Sequence, residues 1–171
     1  MMKTYLIEPM KTKEIYKKFI KVMLERSDAF SLVYFKYRET EIPRRKVRIT
    51  KKKLEDYLIY SHRGNEWPAM MTMNEFGHIY EIALYRADSR AADALNIVND
   101  IFDWDYPKYP MDLCFYKDGY GWFSCCSHEQ YAEINTGDET IIEELKAVGV
   151  ELNYDGEIDE SNLFFDEKAI L

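Results

Sequence analysis

Met111–Lys117 (MDLCFYK) and Tyr120–Ser127 (YGWFSCCS) flank the dipeptide Asp118-Gly119. Both central residues of a tight two-residue hairpin turn need positive φ, and Asp-Gly supplies it at low steric cost. The flanking runs are aromatic and apolar, as strands buried in a sheet are. This stretch therefore predicts an antiparallel hairpin. A pairing centred on the turn sets Cys114 opposite Phe123. Just upstream, 103–110 (DWDYPKYP) reads as a loop, because its two prolines exclude regular pairing. Downstream, Gln130–Ile134 reads as a further strand.

Helical periodicity appears farther out. Ile15, Tyr16, Phe19, Ile20, Met23 and Leu24 recur on one face of Lys13–Glu25, with Thr12 as N-cap. Asp88 caps a second helix, expected to run to Phe102 with Ala91, Leu95, Val98 and Phe102 buried. Thr136–Glu139 (TGDE) reads as a capping box opening a helix that carries Ile141, Ile142 and Leu145 and stops near Gly149. Phe30–Tyr37, Met70–Met73 and Ile79–Tyr85 read as strands, the last two joined by a turn at 74–77, and 63–68 as a loop. In Arg44–Lys53 (RRKVRITKKK), Val47 and Ile49 alternate with charges, which predicts an edge strand guarded by its charges. Thr50 then caps a short helix carrying Leu54, Tyr57 and Leu58.

No internal repeat and no Pro- or Gly/Ser-rich linker divides the 171 residues. The expectation is one α+β domain over 1–171. It is an antiparallel sheet with about four helices packed against it as a single pair of layers. Fourteen tyrosines suit such a sheet core. The acidic segment 153–171 holds Leu163-Phe164-Phe165, which argues that it docks on the domain.

The opening MMKTYLIEPM has no long apolar run, and no stretch reaches the ~18 apolar residues of a membrane helix. Three cysteines, two of them adjacent, make a poor disulfide framework. The expected setting is a reducing cytoplasm, with no membrane association. Charge is uneven: 17 Lys+Arg against 8 Asp+Glu up to Arg63, net +9, then 6 against 23, net −17. No Gly-rich phosphate loop, GxSxG or HExxH occurs, and only 7 glycines are available. No cofactor is expected.

Three readings of function compete. The first is a protein-binding module for a basic partner. Trp104, Tyr106 and Tyr109 would be its aromatic anchors, with Asp103 and Asp105 steering the encounter. In size, charge and architecture, though by no motif, the chain resembles the small acidic immunity proteins with which bacteria neutralise toxins. That resemblance implies a toxin-neutralising or regulatory role. The second is a thiol-dependent enzyme with Cys126 as nucleophile and His128 as base, brought to one face by their i, i+2 spacing in a strand, with Cys125 on the other. The third is nucleic-acid binding through 44–53, centred on Arg44, Arg45 and Lys46. A sequence pI near 5.0 and a basic run without aromatics disfavour it. Metal binding is not expected. Cys114, Cys126, His62, His78 and His128 show no structural-zinc spacing, and Asp100, Asp103, Asp105 and Asp112 lack that of a calcium loop.

Overall fold

A computed structural model describes residues 1–35, 43–70 and 80–171. The fold is mixed α+β, built on one eight-stranded antiparallel sheet. The strands are β1 (Met2–Ile7), β2 (Ala29–Tyr34), β3 (Leu58–Gly64), β4 (Tyr80–Arg86), β5 (Met111–Lys117), β6 (Tyr120–Cys126), β7 (Tyr131–Thr136) and β8 (Leu152–Ile158). Their spatial order is β3-β4-β2-β5-β6-β7-β1-β8. Four α-helices are present among the described residues: α1 (Lys13–Arg26), α2 (Arg45–Leu54), α3 (Ala92–Leu95) and α4 (Glu139–Ala147). No described helix is long and apolar enough to cross a membrane.

The central hairpin forms as expected, with φ 51° at Asp118 and 84° at Gly119. Tyr116 faces Gly121 in the expected register, but a bulge then intervenes and Phe115, not Cys114, faces Phe123. One extra residue on one strand makes this shift.

Alternation explains both faces of the sheet. Phe30, Leu32, Ala83, Tyr85, Leu113 and Phe115 join the main core beneath the helices. Their neighbours Ala29, Val33, Ile82, Leu84, Cys114 and Tyr116 form a second cluster on the opposite face. Trp67 and Ala169, from the segments after β3 and near the C-terminus, cover that face. Every residue of β2 is therefore buried, and a strand covered on both sides reads as a continuous apolar run. The expectation of a single pair of layers leaves this second cluster out.

Thr12 Oγ1 accepts from Ile15 N and starts α1 where its periodicity predicts. Six of its side chains are buried, among them Tyr16, Phe19 and Met23. At ~1.5–3 kcal/mol for each fully buried large apolar side chain, packing holds this helix. The exposed Lys17–Glu14 pair adds only ~0.3–0.5 kcal/mol.

Several expectations are corrected. Arg45–Leu54 is a helix, not an edge strand. The alternation of Val47 and Ile49 misleads, because Val47, Thr50 and Leu54 are the buried stripe. Thr50 lies inside the helix and its hydroxyl donates to the Lys46 carbonyl. Leu58–Gly64 is a strand, so Leu58 is not helical and the loop starts later than expected. The helix capped by Asp88 breaks after Leu95. Asp103 accepts from the Asn99 and Asp100 amides and, with Asp100 as N-cap, forms the capping box of a separate short turn, Ile101–Asp103. Such side-chain bonds compete with a continuing helix. At α4 the N-cap is Asp138, not Thr136, and Glu139 pairs with Lys3 instead of reaching back. The strand ends expected at Tyr37 and 71–73, the turn at 74–77, and His78 lie outside the described residues.

The acidic C-terminal segment is part of the sheet and of its cover. β8 pairs with β1 along the edge. Farther on, the Gly121 amide donates to the Phe164 carbonyl and the Asp166 amide to the Gly119 carbonyl.

Candidate functional site

Antiparallel pairing brings the start of β5 and the end of β6 to the same end of the sheet. Asp112 is the second residue of β5, Cys126 the last of β6, and His128 lies on the short turn Ser127–Glu129 that follows. Asp112 is buried at φ 55°, a conformation that Asp tolerates better than most residues. Its carboxylate is held from two sides. Oδ1 accepts from the Ser127 amide at 2.9 Å and Oδ2 from the Trp67 indole N–H at 2.9 Å. Cys126 Sγ lies 3.5 Å from His128 Nδ1. One ligand atom from each of Asp112, Cys126 and His128 lies within 4.8 Å of the others.

The expected Cys126–His128 contact is present, but a turn makes it, not a strand. Cys125 points the other way, into the core, with its thiol near the Ile101 carbonyl and the Ser127 hydroxyl. Asp112, read in the sequence only as one of a run of carboxylates, completes the group. Its partner Trp67 gives no signal in the sequence, because its role depends on a crossing 45 residues away.

Electrostatics work against a free thiolate. Burial, reinforced by the charges of Asp112 and Glu129, pushes the Cys126 thiol up to about 11. Burial also raises the Asp112 carboxyl, against the pull of its two N–H donors. A catalytic thiol needs the opposite setting, a neighbouring positive charge or helix N-terminus. Alkylation of Cys126 is expected to be slow at pH 7 and to rise about tenfold per pH unit towards pH 10, in proportion to the thiolate present. Cys114 and Cys125, fully buried with thiols pushed higher still, are expected to stay unmodified while the protein is folded. Mass spectrometry of alkylated peptides reads all three. Fast labelling at pH 7 would restore the enzyme reading.

The acidic aromatic loop 103–110 adjoins this cluster. The Asp112 amide donates to the Trp104 carbonyl, and the Asp105 charge acts on both Asp112 and Cys126. Two candidate sites that are separate in the sequence thus meet at one end of the sheet. Their members differ in access. Trp104 is fully buried, its indole N–H bonded to the Tyr16 hydroxyl, so it is a core residue and not a surface anchor. Asp103 is exposed but occupied by the Asn99 and Asp100 amides. Tyr106 is exposed, Asp105 and Tyr109 are half-buried, and Lys108 sits over the Tyr109 ring. Asp103, Asp105, Tyr106 and Tyr109 line one groove of about 380 Å³.

Arg44, Arg45 and Lys46 are exposed at the start of α2, where cations oppose the helix dipole. Lys51 pairs with Glu81 and Lys52 with Glu55. Among the described residues, no carboxylate of 153–171 forms an ion pair with 44–53. The basic helix and the acidic tail therefore do not neutralise each other by direct contact. Comparison with known proteins finds no matching family model, no matching curated protein and no matching solved structure.

Proposed function

We propose that this protein is a small acidic binding module that receives a basic protein partner in the groove of loop 103–110. A cytoplasmic toxin-neutralising or regulatory protein would work in this way. The observation that carries the reading is the convergence of Asp103, Asp105, Tyr106 and Tyr109 on one groove, where Lys108 is the one cation among the described residues. Asp105 and Tyr106 are the contact residues. The carboxylates steer a cationic surface into place, and the exposed ring supplies apolar area at the centre of the contact. The raised Cys126 thiol weighs against the enzyme. The surplus of acid over base, net −8, weighs against nucleic acid.

The test is capture of partners from nuclease-treated lysate of the protein's own host, followed by titration of the purified pair. The double variant Asp105→Asn/Tyr106→Ala is expected to bind about 30-fold more weakly, as loss of a ~2 kcal/mol hot spot implies, while staying folded by circular dichroism with a slightly lower melting temperature, because the Tyr106 ring also packs on Phe35. Asp103 is left intact because its carboxylate holds the turn. A partner retained at full affinity by the double variant would remove the groove from the proposal.

A further inference from the structure

We infer that Asp112, Cys126 and His128 form a zinc-class metal site, independent of the partner groove. The donors are one carboxylate oxygen, one sulfur and one imidazole nitrogen, the ligand types Zn²⁺ takes most often. Their spacing fits the ion. Bonds of ~2.3 Å to sulfur and ~2.0 Å to nitrogen, at a tetrahedral angle, place S and N about 3.5 Å apart. Cys126 Sγ and His128 Nδ1 stand at 3.5 Å. The third donor lies within 4.8 Å of both.

The surroundings are those of a built site. A carboxylate aimed into a buried corner needs its own orientation fixed. The Ser127 amide and the Trp67 indole do this, one to each oxygen. Each oxygen keeps a second lone pair for a ligand. Bonds of this kind are what hold a metal-ligating carboxylate in place. The second nitrogen of His128, Nε2, lies 3.7 Å from the Glu129 carboxylate, which adds a negative charge on the far side of the imidazole. Asp105 adds a further negative charge near Cys126. His128 is exposed and gives the ion a path from solvent.

Three protein ligands leave a fourth position for water or an incoming group, as in open rather than closed zinc sites. Binding replaces the thiol hydrogen of Cys126: the S–H bond breaks, the S–Zn bond forms, and the proton goes to solvent. Cys126 thus gives up one proton for each ion bound.

The test uses the whole protein, stripped with a chelator and titrated with Co²⁺, then with Zn²⁺ in competition. One equivalent of Co²⁺ is expected to give a thiolate-to-cobalt charge-transfer band and the visible bands of a tetrahedral ion, and Zn²⁺ should abolish both. Cys126→Ser should remove the charge-transfer band. His128→Ala, at an exposed position that leaves the fold intact by circular dichroism, should weaken binding by more than about 100-fold, beyond the ~10–100-fold loss that an outer-shell partner causes. A folded wild-type protein without the charge-transfer band would overturn the site. So would affinity left unchanged in His128→Ala.

Discussion

Trp104→Ala is expected to lower stability by about 3–5 kcal/mol, the cost of truncating a buried aromatic in a packed core. For a domain with a typical ~5–15 kcal/mol in total, that is a third or more of the stability across most of the range. The indole is fully buried and also closes a chain of hydrogen bonds. Its N–H donates to the Tyr16 hydroxyl at 3.0 Å, and that hydroxyl donates to the Leu95 carbonyl at 2.7 Å, at the end of α3. Truncation empties the space and removes one donor from a fully buried hydroxyl. Trp104→Phe keeps most of the ring and loses the hydrogen bond, so about 1–2 kcal/mol is expected. Urea unfolding followed by circular dichroism measures both. An Ala variant with the wild-type midpoint would mean that the indole is not packed in the core. Any loss of partner binding by Trp104→Ala therefore reports disturbed packing and not a lost contact, because the indole is fully buried.

Asp112→Ala is the second large effect, at about 2–4 kcal/mol. It leaves the Trp67 indole N–H and the Ser127 amide buried without an acceptor, at ~1–3 kcal/mol each. It also places Ala at φ 55°, an added ~1 kcal/mol. Relief from burying a carboxylate offsets part of this. Asp112→Asn retains one acceptor and tolerates the backbone, so its cost is about 1–2 kcal/mol. The pH dependence has a definite sign. Burial raises the Asp112 carboxyl above its ordinary value of 3.8. The folded state thus holds the proton more tightly than the unfolded one, and this contribution is complete below about pH 4 and lost as pH rises through the raised value. The deficit of Asp112→Asn relative to wild type is expected to widen as pH falls into that window. A deficit that narrows on acidification would show that the carboxyl is lowered instead.

Particular residues show what was legible in the sequence. The hairpin at Asp118-Gly119 and helix α1 were readable because local chemistry alone specifies them, through a turn that needs positive φ and a stripe with a cap. Strands β1, β3 and β8 were not. The sequence of β8, LNYDGEI, is polar because it lies on an edge, where one side of the ladder faces solvent. Its strand state comes from pairing with β1, nearly 150 residues away in sequence. Arg45–Leu54 misled because Val47 and Ile49 satisfy a period of two while the buried residues follow a period of 3.6. At the candidate site, Cys126 and His128 were legible as neighbours. Asp112 and Trp67 were not, since only the register of β5 against β6 and the path of the segment after β3 bring them in. Acidic neighbours give Trp104 the look of a surface anchor, yet Asp103 faces outward while the indole turns inward.

The sheet order also sets a sequence in time. Tyr5 of β1 lies between Ile134 of β7 and Tyr154 of β8, so β1 has no partner until β7 is made and lacks its second until residues up to about 158 are available. The β4-β2-β5 centre can form sooner from nearer segments. A nascent chain that ends before Tyr131 therefore carries an unpaired β1, and Tyr5 and Ile7 on it, buried in the finished fold, stay open to other chains. Pairings this distant slow folding and prolong that exposure. The half of the sheet built around β1 is thus the part most dependent on the later synthesis of β7 and β8 and on whatever shields β1 until then.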